Sequence, residues 1–304
     1  MPYINLTGRP DRLGANITTF ISQIIFAHKN NFRINFDKNL IYGDSIWADL
    51  KYGPINQRFK ESIFVQSLFD YIEEYNSYIS IDNLEINFFS SDYFEIMSKS
   101  VLEIESDLVT YFKKNLYDNV NKFFLEKLKQ KNYSLPFDPN DTVLIHLRLD
   151  DAKYINDYDG KICANHFAEC INSNQIATIE LDRIVKNKYG SNFNRQAQIS
   201  FYKIEDCLSK IYLEDSNYKN AVIVTSPNEN LKNINYPVIS NFDESYDLFL
   251  LSNAKKIILS KSTFSLSSLF FGNFETCYLP LWGHIPCFGI YTKFDENKNI
   301  KFFN

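Results

Sequence analysis

Apolar and polar positions along the chain alternate between two rhythms. Short runs of apolar or β-branched residues recur between stretches with helical spacing. Tyr3-Ile4-Asn5-Leu6 reads as a first strand, and Thr7 to Asn16 as a glycine-containing loop. Ile17 to His28 follows with apolar positions at Ile17, Phe20, Ile21, Ile24, Ile25 and Phe26, which predicts a helix. Phe32-Arg33-Ile34-Asn35-Phe36 alternates as the next strand, which makes a βαβ start. Helical stretches are expected over Ser45–Lys51, Asn56–Tyr75 and within Tyr93–Lys131, with a strand over Leu84–Phe89. Tyr133 to Asn140, with Pro136 and Pro139, is turn-rich and is the candidate linker.

The second half restarts the alternation. Strands are predicted at Val143–His146, Ala221–Ser226, Val238–Ser240, Lys256–Ser260 and Thr276–Leu281. Helices are predicted at Ala164–Asn172, Ile204–Leu213 and Ser245–Asn253, and from Ser262 to Phe271. Gln198–Tyr202 reads either as a strand or as the lead into a helix, and Ser245 or Asp243 as the N-cap of the next one. This succession predicts a doubly wound α/β architecture in two domains, 1–138 and 139–304.

Three strand ends carry polar clusters. The richest is Thr142-Val143-Leu144-Ile145-His146-Leu147-Arg148-Leu149-Asp150-Asp151. A buried strand here runs into a guanidinium and two carboxylates, where open α/β sheets bind ligands. The planar fork of Arg148 suits a phosphate, and a carboxylate can take a proton. Taken alone, these ten residues describe any strand that surfaces in polar residues. The loop containing Gly8 and Gly14 is followed by a helix start, but fits neither Gly-x-Gly-x-x-Gly nor a P-loop. Ser262, Thr263 and Ser265 open a helix after a buried strand; ordinary capping explains them singly, and phosphate binding is the other use of such a turn.

Composition narrows the field. The net charge is −5, which argues against a general nucleic-acid binder. The five cysteines are odd in number and fit no zinc spacing, so they are expected to be reduced thiols. The acidic run Asp150, Asp151, Asp157, Asp159 lacks the EF-hand ligand spacing, and His166 and His284 are isolated. No apolar run of about twenty residues spans a bilayer, and the start lacks a signal-peptide pattern. The expectation is a soluble cytoplasmic protein.

Three motifs, in order, resemble one family. His146-Leu147-Arg148-Leu149-Asp150-Asp151 resembles the His-x-Arg-Arg-x-Asp motif of the fucosyltransferase superfamily, which includes α1,2-, α1,6- and protein O-fucosyltransferases. Arg12-Leu13-Gly14-Ala15-Asn16 resembles its Gly/Arg-Leu-Gly-Asn-Gln loop. Ile258-Leu259-Ser260-Lys261-Ser262-Thr263-Phe264-Ser265 resembles its third motif, with core Asn-Ser-Thr-Phe-Ser.

The resemblance implies a GT-B fold: two facing Rossmann-like domains with a cleft between them, the first on the acceptor side and the second on the donor side. It implies an inverting, metal-independent transfer of L-fucose from GDP-fucose to a hydroxyl of a glycan acceptor, with no cofactor beyond the nucleotide sugar. The lack of an anchor is expected to reflect a bacterial or viral setting, or a trimmed chain. Arg148 would hold the diphosphate and His146 would support it. Ser262, Thr263 and Ser265 would hold phosphate or ribose, and Gly14 and Asn16 would line the cleft. Asp150 or Asp151 would act as the base.

Three positions depart from the pattern: Leu149 replaces the second Arg, Asp150 adds a carboxylate, and Ser226-Pro227-Asn228-Glu229 stands where Ser/Thr-Asp-Asp is common. The donor therefore stays open between GDP-fucose and another nucleotide sugar such as UDP-xylose. A non-catalytic carbohydrate- or nucleotide-binding relative is the remaining alternative.

Overall fold

The computed structural model describes residues 3–6, 13–36, 62–79, 87–88, 111–148, 199, 201–227, 231, 234–280 and 299–303. The chain divides into two compact units, Met1–Tyr133 and Ser134–Asn304. Each is of α/β class with parallel sheets. Among the described residues no helix is long and apolar enough to cross a membrane.

In the N-terminal unit, β1 (Tyr3–Asn5) leads into α1 (Leu13–Asn30) and then β2 (Arg33–Asn35). These strands pair in parallel, and β3 (Asn87–Phe88) joins the other side of β1. Helix α1 starts at Leu13, four residues before the predicted Ile17. Gly14 and Asn16 therefore lie in its first turns and not in a loop. The buried side chain of Leu13 extends the apolar face backwards past the glycine. Ile17, Phe20, Ile21, Ile24 and Ile25 are all buried, as the helical spacing predicts.

Helix α1 gives way to Asn31, which takes the left-handed conformation asparagine tolerates at a helix end. Helix α2 (Ile63–Tyr78) presents Asn76 to β2. Its amide accepts from the backbone N–H of Ile34 at 3.0 Å and donates to the carbonyl of Ile34 at 2.7 Å. That side chain imitates a neighbouring strand and covers the sheet edge. Helix α3 (Tyr117–Lys131) packs on α2 through Phe124 and Phe64, ring centroids 4.6 Å apart, and ends at left-handed Asn132.

The C-terminal unit carries a six-stranded parallel sheet of β4 (Thr142–Leu147), β5 (Asn220–Thr225), β6 (Val238–Ser240), β7 (Lys256–Ile258), β8 (Thr276–Pro280) and β9 (Asn299–Phe303). Their spatial order is β6-β5-β4-β7-β8-β9. Counted from β4 as the first strand, this is the 3-2-1-4-5-6 order of a Rossmann-like sheet. Its switch point lies between β4 and β7, which pair Ile145 against Ile258. The sixth strand, β9, is absent from the sequence-based expectation.

Strand β4 is buried along its whole length because both faces of the sheet are covered. Val143, Ile145 and Leu147 pack with Ile204, Cys207, Leu208 and Ile211 of α4 (Phe201–Glu214). Alternation then turns Leu144 and His146 to the opposite face. Residues 201 and 202 belong to α4, so that part of Gln198–Tyr202 opens a helix, while residues 198 and 200 lie outside the described residues. Helix α5 (Glu244–Asn253) takes Asp243 as its N-cap, whose carboxylate accepts from the N–H groups of Ser245 and Tyr246. The side chains of Cys207 and Cys277 are buried.

Helix α6 (Thr263–Phe271) ends on Gly272, whose N–H donates to the carbonyl of Ser268 at 2.6 Å. A Cβ at this position would stand 2.8 Å from that carbonyl oxygen and 3.2 Å from the ring of buried Phe274. Gly272→Ala is therefore expected to destabilise the protein by about 1–3 kcal/mol. Urea unfolding checks it: an unchanged midpoint would show that the α6 terminus relaxes freely.

Candidate functional site

The candidate site is built on the facing carboxyl ends of β4 and β7. Thr225, at the end of β5, donates its hydroxyl to the carbonyl of Leu147 at 3.0 Å and fixes the exit of β4 from the other side. At the end of β7 the chain turns sharply, with the N–H of Ser262 on the carbonyl of Ser260 at 2.8 Å. Ser262 then caps α6, its hydroxyl accepting from the N–H of Phe264 at 3.2 Å. This is the ordinary capping use of the residue, and it leaves the first turn of α6 beside the switch point.

His146 is locked into this junction. Its Nδ1 lies 2.6 Å from Oγ of Ser260 and 2.5 Å from Oγ of Ser265, and the two hydroxyl oxygens are 3.0 Å apart. The ring also packs against Phe264, with centroids 5.6 Å apart. The imidazole, the strand end and the helix thus form one closed polar triangle inside an apolar surround. Ser265 is 0% exposed, so its hydroxyl supports His146 from within. Burial first, and the nearby Arg148 cation second, push the His146 imidazole down to about 3. It is neutral at physiological pH. His146 therefore orients groups without adding positive charge.

Arg148 follows one residue beyond β4 and is partly buried. Its Nη1 donates to the carbonyl of Lys261 at 3.4 Å, a long bond that joins the two strand ends. Thr263 is half-buried in the first turn of α6. The sequence-predicted residues His146, Arg148, Ser262, Thr263 and Ser265 are therefore together at one strand-end pair. Gly14 and Asn16 lie in the other unit, on α1, where Asn16 is 0% exposed. Asp150 and Asp151 lie outside the described residues, as do Asp157, Asp159, His166, His284, Asn228 and Glu229.

Sequence reasoning gave no role to two side chains of this turn, or to a buried carboxylate elsewhere in the unit. Ser260 completes the triangle, and its signal is a hydroxyl following directly on Ile257-Ile258-Leu259. Lys261 is buried next to it. Asp247 sits on α5, buried, with its carboxylate accepting from Nδ2 of Asn241 at 2.9 Å. Burial is the main cause that raises this carboxyl to about 7; the Asn241 hydrogen bond opposes it, and the Glu244 and Asp243 charges add to it. Nothing in the local pattern Tyr246-Asp247-Leu248-Phe249 marks that aspartate out.

The arrangement has the chemistry of an anion site: a guanidinium, hydroxyls and a helix N-terminus at one sheet switch point. No model of a known protein family matches the chain, and no curated protein matches it in sequence.

Proposed function

We propose that this chain is an inverting glycosyltransferase of GT-B type, moving a sugar from a nucleotide sugar to a hydroxyl of a glycan acceptor. GDP-fucose is the first donor to test. In this reading the C-terminal unit holds the donor and the N-terminal unit most of the acceptor site. One observation carries the proposal. Arg148 and the Ser260–Ser265 turn meet at the switch point of a 3-2-1-4-5-6 parallel sheet, and the latter opens α6. Sheets of that order bind nucleotides beyond the strand ends at the switch point.

The mechanism follows from charge. Breaking a sugar–diphosphate bond develops negative charge on the leaving group. A fixed guanidinium and the N–H groups of a helix start stabilise it without reorganising. Neutral His146, held by two serines, keeps the junction rigid while taking no charge away from Arg148. Inversion needs a carboxylate to accept the proton of the attacking hydroxyl, and Asp150 or Asp151, next in sequence after the grip, has that role.

Thermal unfolding with GDP, GDP-fucose, UDP and UDP-xylose tests the donor. A ligand at a hundred times its dissociation constant is expected to stabilise the protein by about 2.7 kcal/mol. Stabilisation by the guanosine pair alone supports GDP-fucose. A response to the uridine pair alone replaces the donor and keeps the reaction class. No response to any of the four removes the glycosyltransferase reading.

A further inference from the structure

Three buried polar atoms where β4 and β7 end must satisfy one another. Nδ1 of His146 lies 2.6 Å from the hydroxyl of Ser260 and 2.5 Å from that of Ser265, and the two oxygens are 3.0 Å apart. Ser265 is 0% exposed and Ser260 4%, so bulk water does not complete either hydroxyl. Among the described residues neither hydroxyl has an acceptor outside the triangle. The next serines of α6 behave otherwise. Ser267 and Ser268 each donate to the carbonyl three residues before, at 2.7 Å and 2.6 Å.

The imidazole is neutral, because burial and the Arg148 cation both oppose a second proton. Its one proton therefore sits on Nδ1 or on Nε2. With the proton on Nδ1, the ring donates to one hydroxyl and that hydroxyl donates to the other. The last hydroxyl then keeps a proton with no acceptor, since Nδ1 has no lone pair left. A buried donor in that state bears its full desolvation cost. With the proton on Nε2, one hydroxyl donates to the Nδ1 lone pair and the other donates to the first. Both hydroxyl protons and the ring lone pair are then matched. The in-plane directions of the two ring nitrogens diverge, so a proton on Nε2 is turned away from the serine pair. This ring stands at the switch point, where sheets of this order take their ligands.

We propose that Ser260 and Ser265 hold His146 as its Nε2–H tautomer, so that the strand-end site presents a neutral N–H donor to an acceptor oxygen of a nucleoside diphosphate. The two serines are positioning residues, which act through the imidazole by setting the sense of its hydrogen bonds. The ligand half rests on the nucleotide-sugar reading above, and the tautomer does not. A neutral donor complements Arg148: it meets an oxygen and adds no charge of its own.

The test is proton–nitrogen NMR of the full chain carrying isotope-labelled histidine, near neutral pH. The His146 signals are those lost in His146→Gln. The wild type is expected to show an unprotonated Nδ1 and a protonated Nε2, without averaging between them. A protonated Nδ1, or an averaged pair, overturns the tautomer. Ser260→Ala combined with Ser265→Ala is expected to move the Nδ1 resonance towards that of a nitrogen without a hydrogen bond. It is also expected to weaken nucleoside diphosphate binding by about threefold to tenfold in calorimetry. Ser260→Thr keeps a hydroxyl and is expected to retain both. An Nδ1 resonance unmoved in the folded double variant overturns the role of the serines. Circular dichroism reports folding, and if the double variant does not fold the wild-type spectra decide the tautomer by themselves. Saturation with GDP or UDP, whichever binds, is expected to shift the Nε2–H resonance. Binding that leaves it unmoved overturns the donor role and spares the nucleotide-sugar reading. Wild-type protein that binds neither overturns that reading and the ligand half together, with the tautomer judged on the ligand-free spectrum.

Discussion

On the proposed glycosyltransferase reading, Arg148→Ala is expected to abolish sugar transfer while the chain still folds. The guanidinium leaves β4 at the switch point and reaches across to the carbonyl of Lys261 over 3.4 Å. That bond is long, and β4 is held instead by its ladder to β5 and by the Thr225 hydroxyl on Leu147. Removing the side chain therefore spares the strand. Loss of a charged group that meets transition-state charge costs roughly 10²–10⁵-fold in rate. The expected loss in kcat/KM for the cognate donor lies at the upper end, about 10³-fold or more, because His146 is neutral and offers no replacement charge. Transfer is measured with labelled GDP-fucose and an acceptor panel, and folding by circular dichroism and cooperative unfolding. Near-normal turnover in a folded Arg148→Ala protein would remove the assignment of this strand end as the diphosphate grip.

Much of the C-terminal unit was legible because its sheet is parallel and buried. Strands of that kind read as continuous apolar runs, and Val143–His146 and Ala221–Ser226 fall within one or two residues of β4 and β5. The start of α6 was legible to within a residue, and the cap of α5 as one of Ser245 and Asp243, for a related reason: short polar side chains ahead of an apolar run favour capping. Strand β9 was not. Asn299-Ile300-Lys301-Phe302-Phe303 follows an Asn- and Lys-rich stretch, and its pairing with β8 is a long-range fact no local window contains. The start of α1 was missed because Gly14 looks like a loop residue, although burial of Leu13 beside it outweighs the modest cost of a helical glycine.

At the site, the strand-end positions were readable and the division of labour among them was not. Ser262, Thr263 and Ser265 look equivalent in sequence. Helical geometry sends the first into capping, leaves the second half-buried and turns the third inward to His146. Which serine meets which partner depends on the spacing of β4 and β7, residues more than a hundred positions apart. Lys261 and Asp247 are harder still. Both break the expectation that charge stays in water, and only the packed structure reveals that they do.

Asp247 makes that break measurable. Its carboxyl is raised from 3.8 to about 7 in the folded protein, chiefly by burial. The folded state therefore favours the neutral acid more than the unfolded chain does. The associated stability is fully present below about pH 4, where both states are protonated. It is lost as pH rises towards about 7, and the loss then levels off. Asp247→Asn keeps the side-chain shape and still offers Asn241 an acceptor oxygen, but cannot ionise. The variant is thus expected to match the wild type near pH 4 and to become progressively more stable than it up to about pH 7. The difference is bounded by about 4 kcal/mol, from 1.36 kcal/mol per pH unit over about three units. Exposed Glu214 and half-buried Asp215, whose carboxyls are lowered mainly by hydrogen bonds from Lys301 and Lys256, act in the opposite sense at acid pH. They are common to both proteins and drop out of the comparison. Urea unfolding of both proteins at half-unit steps from pH 4 to 8 gives the curve directly. A pH-independent difference would mean that Asp247 ionises in the fold as it does in water. A variant less stable than wild type at pH 8 would mean that the charged carboxylate itself stabilises α5, through a partner the neutral amide does not satisfy.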